Sequence, residues 1–199
     1  LLPLMYRGKT LVVIGDKEQL PAIPTVRSSE ELVLARKFGV EEHLEIIGHA
    51  DNDVYSAASI ALPRQQADVL WLVEHYRSNP QIIGFSNRHI YQKRLALKKG
   101  LDSQRQLPTA SGVNSIPIRG KAEPGLNGRS WLNIPEAHAV IDLVRRLKEG
   151  DSRWLSLGVV TPFSAQKYYL REELDRLGLA AEVLVDTAHG FQGDERDVI

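Results

Sequence analysis

Short, continuous apolar runs that stop at polar clusters constrain this chain more than any other feature. Thr10-Leu11-Val12-Val13-Ile14 ends at Gly15-Asp16, and Val69-Leu70-Trp71-Leu72-Val73 runs toward His75-Tyr76-Arg77. Leu155–Val160 ends at Thr161-Pro162, and Glu182–Val185 enters Asp186-Thr187. The first two, without polar alternation, read as strands buried on both faces, the pattern of a parallel sheet, and the last two as further strands. Between them lie stretches of helical period. Ser28-Ser29 ahead of Glu30-Glu31 opens a capped helix that reaches Phe38 and is closed by Gly39. Asn79-Pro80 supplies an N-cap and an N1 proline for a helix to about Tyr91. From Pro135 to Gly150, Ala137, Val140, Ile141, Val144 and Leu147 share one stripe, and Lys148 suits the last turn. Ser164 caps a further helix to Leu177-Gly178, whereas residues 40–68 fit no single pattern. Strands alternating with helices predict an α/β fold, a parallel sheet with helices on both faces. Ligands of such folds sit at the carboxyl ends of strands, where the polar clusters fall.

Composition narrows the function classes. The chain has 199 residues, 43% hydrophobic and 25% charged, and no cysteine. Disulfides, thiolate zinc sites and cysteine nucleophiles are therefore excluded. No apolar run approaches the ~18 residues of a membrane-spanning helix, and no charged-then-apolar leader opens the chain. A soluble, intracellular (cytoplasmic) protein is the expectation. The net charge of zero hides an asymmetry: His75 to Leu132 holds ten Lys and Arg against two acids, and the remainder 15 against 23. A basic segment of this kind suits a polyanion, or else a solvated loop. Residues 98–130, with Gly100, Pro108, Gly112, Pro117 and Gly120, read as a long, irregular, basic insertion. The ends read as cut from a longer protein: Leu1-Leu2-Pro3-Leu4 lacks an initiator, and Asp197-Val198-Ile199 reads as the opening of a strand.

One phosphate motif is a decoy. Gly8-Lys9-Thr10 looks like the end of a Walker A loop, but the pattern's first glycine falls on Pro3, and the strand follows instead of preceding.

Four segments, in order and at the ends of expected strands, carry a resemblance. Gly15-Asp16-Lys17-Glu18-Gln19-Leu20-Pro21 resembles motif III of superfamily 1 helicases. His75-Tyr76-Arg77-Ser78-Asn79-Pro80, continued by Ile82-Ile83, Phe85 and Tyr91, is similar to their Y-R-x-x-P-x-I motif. Val159-Val160-Thr161-Pro162-Phe163 with Gln166 resembles T-P-[YF]-x-x-Q. Thr187-Ala188-His189-Gly190-Phe191-Gln192-Gly193-Asp194-Glu195-Arg196-Asp197 resembles motif V, and Asn133 with Glu136-Ala137 matches the N-x-x-E-A stretch usual between them. The set is most similar to the Upf-like/DNA-two-like branch and spans residues 11–199.

The resemblance implies a RecA-like P-loop fold: residues 1–65 as the end of a first RecA-like domain, 66–199 as most of the second. It implies ATP in the cleft between the two, single-stranded DNA or RNA across their tops, and Mg²⁺ held by residues outside this chain. Phosphoryl transfer needs cations on the γ-phosphate, and an arginine from a facing domain contributes ~10³–10⁵ in rate. Arg77, after a strand and before a helix start, is placed for that; a surface arginine paired with a carboxylate is the other reading. By resemblance, Gln19 senses the γ-phosphate, Tyr76 stacks on the base, and Glu195, with Gly193 beside it, meets the ribose. Hydroxyls and N–H groups at strand ends suit nucleic-acid phosphates, which makes Thr161, Pro162, Thr187 and His189 the candidates there.

The chain departs from the family pattern at Asn79, where a histidine is usual, and at His75, where a glutamine is common. Walker A, the D-E-x-x box and motif VI are absent from it. The expectation is a piece of an ATP-dependent helicase, inactive by itself; an inactive single-strand-binding scaffold and the motor of a helicase–nuclease fusion are the alternatives.

Overall fold

The computed structural model describes residues 6–21, 23–61, 69–98, 112–125, 128–150, 153 and 155–199. The chain forms two compact units, Leu1–Val73 and Glu74–Ile199. The opening Leu1–Met5, the expected boundary between residues 65 and 66, and Lys99 and Arg105 of the basic insertion lie outside the described residues.

The first unit is helical: α1 (Ser28–Phe38), a 3₁₀ turn (Glu41–His43), α2 (Leu44–Ile47) and α3 (Val54–Ala61). α1 ends at Gly39, whose φ of 66° lets the last turn close, with Val40 N–H donating to the Ala35 carbonyl at 3.0 Å. Arg27, not a serine, occupies the N-cap; Ser28 and Ser29 fall in the first turn. Glu31 reaches across to accept the N–H groups of His49 and Ala50. The expected strand at Thr10–Ile14 does not form: residues 11–16 carry no regular structure, and Leu11, Val12 and Ile14 are 50%, 80% and 84% exposed. An apolar run becomes a strand only where neighbours offer partners to its N–H and C=O groups, and no described strand of this unit does so.

The second unit holds β1 (Glu74–His75), α4 (Pro80–His89), β2 (Ala96–Leu97), β3 (Glu123–Pro124), β4 (Trp131–Leu132), α5 (Ile134–Glu149), β5 (Leu157–Val160), α6 (Ser164–Arg176) and β6 (Val183–Asp186). The expected strand at Val69–Val73 is displaced. Leu70 and Leu72 are 85% and 76% exposed, and pairing begins only at Glu74-His75, which run parallel to Ala96-Leu97. β5 and β6 are parallel, with α6 as the crossover. On β5's other edge Val198 forms a parallel bridge to Leu157, so the residues read as a strand opening do pair. The fold is α/β, although the described strands form three two-stranded sheets. Most of the described part of the basic insertion is irregular, apart from the antiparallel β3–β4 pair.

The core sits where α5 and α6 meet β5 and β6. Ala137, Ile141, Val144 and Leu147 of the expected α5 stripe pack with Leu155, Leu157, Leu170, Leu174, Val183 and Val185. Each fully buried aliphatic side chain contributes about 1.5–3 kcal/mol, which makes this cluster the platform for the loops beyond β5 and β6. Asn133 caps α5 by accepting Glu136 N–H at 3.3 Å, and Asn79 caps α4 by accepting Gln81 N–H at 2.8 Å. Ser164 is no cap: it lies inside α6, and Ala165 N–H is met by the Ser130 hydroxyl at 3.1 Å. Buried Gln166 bridges α6 to the start of α5, accepting from Asn133 N–H at 2.8 Å and donating to its carbonyl at 3.3 Å.

Candidate nucleotide and nucleic-acid site

The first unit, taken by itself, carries Gln19 in a tight turn. A Cβ at Gly15 would collide with the Tyr55 ring, so only glycine lets the backbone pass there. Asp16 then folds the chain back: its carboxylate accepts Glu18 N–H and the Gln19 side-chain amide, both at 3.0 Å, and its carbonyl accepts Gln19 N–H at 3.2 Å. Gln19 is thereby presented by Asp16.

In the second unit three loops leave the C-terminal ends of parallel strands β1, β5 and β6. Tyr76 and Arg77 follow β1. The Tyr76 hydroxyl donates to Glu74, which also pairs with Lys98 Nζ at 3.1 Å. That bond to Tyr76, with Lys98 behind it, holds the Glu74 carboxyl below the usual carboxylate range, and Glu74 in turn raises the Tyr76 phenol. The phenol therefore stays a donor and its exposed ring is fixed at one end.

Arg77 Nε meets Glu195 Oε1 at 2.5 Å. This pair joins the loop after β1 to the loop after β6, so two sequence-distant motif residues stand side by side. Glu195 is aimed by its neighbour: the Arg196 guanidinium grips Asp194 and donates to the Glu195 carbonyl at 2.7 Å. Gly193 takes φ 88°, a left-handed turn that glycine adopts without strain.

Thr161 and Thr187 converge on one carboxylate residue. Asp186 accepts Thr187 N–H at 2.7 Å, Thr187 Oγ1 at 3.5 Å, Lys167 Nζ at 3.2 Å and Arg171 Nη2 at 3.1 Å, while its carbonyl accepts Thr161 N–H. Thr161 is buried, and its Oγ1 accepts Phe163 N–H at 3.3 Å, so here it acts as a turn residue. Pro162 and His189 are exposed on their loops.

Sequence reasoning named the loops and missed their supports: Asp16, Glu74, Asp186 and Arg196. Each is a charged side chain inside or beside a motif, which is the only signal that could have flagged them. Among the described residues no cluster of three His, Asp or Glu comes together to hold a metal ion, and no helix is long and apolar enough to cross a membrane.

Comparison with known proteins shows the family. A family model described as AAA domain matches residues 56–199. The whole chain aligns with the human "Probable helicase senataxin" at 25% identity, with "Helicase SEN1" of Saccharomyces cerevisiae at 27%, and with "ATP-dependent helicase NAM7" of that yeast at 25%. It spans only 7%, 9% and 20% of those proteins' lengths.

Proposed function

The chain belongs to the AAA-domain family, within the Upf-like branch of superfamily 1 helicases, and from that membership we propose that it supplies one wall of an ATP cleft and part of a single-strand track in an ATP-dependent helicase. The observation that carries the proposal is the Arg77–Glu195 pair, which places a guanidinium and a carboxylate side by side at strand ends.

The donor set suits a nucleotide. A guanidinium fits phosphate oxygens, a carboxylate accepts from ribose hydroxyls, and the Tyr76 ring offers a flat face for a base. ATP supplies a γ-phosphoryl group whose charge spreads over its oxygens during transfer. Arg77 stabilises that charge, Glu195 beside Gly193 holds the ribose, and Gln19 links the phosphate to domain movement. With 64% and 62% exposure, the Arg77–Glu195 pair is worth at most about 1 kcal/mol. Breaking that pair itself therefore costs little. Any Mg²⁺ that accompanies the ATP would be held by residues outside these motifs. Pro162, Thr187 and His189 line the strand track, Thr161 shapes the turn that carries Pro162, and the basic segment extends the track by phosphate attraction.

The test is strand-stimulated ATP hydrolysis by the full-length protein, with single-stranded DNA and RNA in parallel. Turnover raised several-fold by either strand is the expected result. Strand binding without turnover would replace the motor by the scaffold reading.

A further inference from the structure

The loop carrying Tyr76 and Arg77 is anchored at both ends. On the strand side, the His75 carbonyl accepts Lys98 N–H at 2.9 Å, the last rung between β1 and β2. On the helix side, the Asn79 side chain accepts Gln81 N–H, and its carbonyl accepts Ile82 and Ile83 N–H at 2.9 and 3.1 Å. Between the anchors, Ser78 N–H donates to His75 Nε2 at 2.9 Å. The imidazole thus straps the far side of the loop to the strand it leaves. A backbone N–H can only donate, so Nε2 is the acceptor and the ring carries its proton on Nδ1.

We infer that His75 is a positioning residue for Arg77: its neutral imidazole, accepting Ser78 N–H, holds the loop in the shape that brings Arg77 to Glu195. The inference rests on the reading of Arg77 as the phosphate-facing arginine. Glu74 and Tyr76 flank His75 in sequence and bond to each other, Glu74 pairs with Lys98 on β2, and Arg77 pairs with Glu195. Protonating Nε2 sets a donor against a donor and opens the strap.

The experiment compares wild type, His75→Ala, His75→Gln and Arg77→Ala in the full-length protein. The readout is ATP kcat and KM with saturating single strand. Glutamine is the informative replacement, because its amide oxygen accepts at a similar reach and does not titrate. His75→Ala should lower kcat by roughly ten- to a hundredfold, as expected when a catalytic group is displaced by about an ångström, with KM within about threefold. His75→Gln should restore kcat to within about threefold of wild type. A glutamine variant as slow as the alanine variant overturns the inference, as does an alanine variant with wild-type kcat. Should the alanine variant fail to fold, the glutamine variant decides alone. Arg77→Ala separates the two levels. If it leaves kcat intact, the reading of Arg77 fails and the inference falls with it. If it abolishes turnover while both His75 variants match wild type, the inference alone fails.

Discussion

Asp186 accepts from the Thr187 N–H and hydroxyl and from the Lys167 and Arg171 cations, at the point where β6 hands over to the loop of Glu195. The Thr187 N–H first, then Lys167 and Arg171, hold its carboxyl below the ordinary value of 3.8, against the opposing effect of burial. A carboxyl lowered by folding stabilises the native state above its unfolded pKa, and the contribution is lost as pH falls through the folded value. Thermal stability should therefore drop below pH 3.8. Asp186→Asn should cost about 1–2 kcal/mol at neutral pH and flatten that acid slope; an unchanged slope would show that the carboxylate is not the group responsible. The sequence marks this residue only as a polar position at a strand end; its role was not legible, because Lys167 and Arg171 reach it only after α6 has packed on β6. Arg77 was legible in part. Its alternative reading, pairing with a carboxylate, is met in the fold, and the partner is a residue the resemblance had reserved for ribose. Only coordinates could join those two loops.

Among the secondary elements, β5 owes its fit to a missing side chain. A Cβ at Gly158 would run into the ring of buried Phe191, which anchors the motif V loop. Gly158→Ala should destabilise the protein by about 1–3 kcal/mol through overpacking, outweighing the ~0.4–1 kcal/mol an alanine gains by restricting the unfolded chain. Denaturant unfolding measures the difference, and a stabilised variant would contradict this view of β5. Phe191 was legible as a motif letter, but the requirement for glycine across from it was not. Helices were the more readable elements because their signals are local: the stripe of α5, Asn79 before Pro80, Gly39 after α1. The runs at residues 10–14 and 69–73 misled for the opposite reason. Apolar composition states a wish for burial, while a strand needs a partner from elsewhere in the chain.

For the whole molecule, the two units carry different parts of the proposed chemistry, with Gln19 in the first and Arg77, Glu195 and the strand-facing loops in the second. If the basic segment and the threonine-bearing loops grip phosphates, single-strand affinity should fall at least about tenfold between about 50 and 200 mM salt; a flat dependence would exclude phosphate-driven binding. The α/β class and the order of motifs were legible because they are carried by short, contiguous residues. The supports that aim those residues were not, since each joins segments far apart in sequence. What distinguishes a working cleft wall from the same shape without chemistry is the turnover number of Arg77→Ala in the full-length protein. A fall in kcat of about 10³–10⁵, with an unchanged melting temperature, is predicted; a kcat within about threefold of wild type would contradict it.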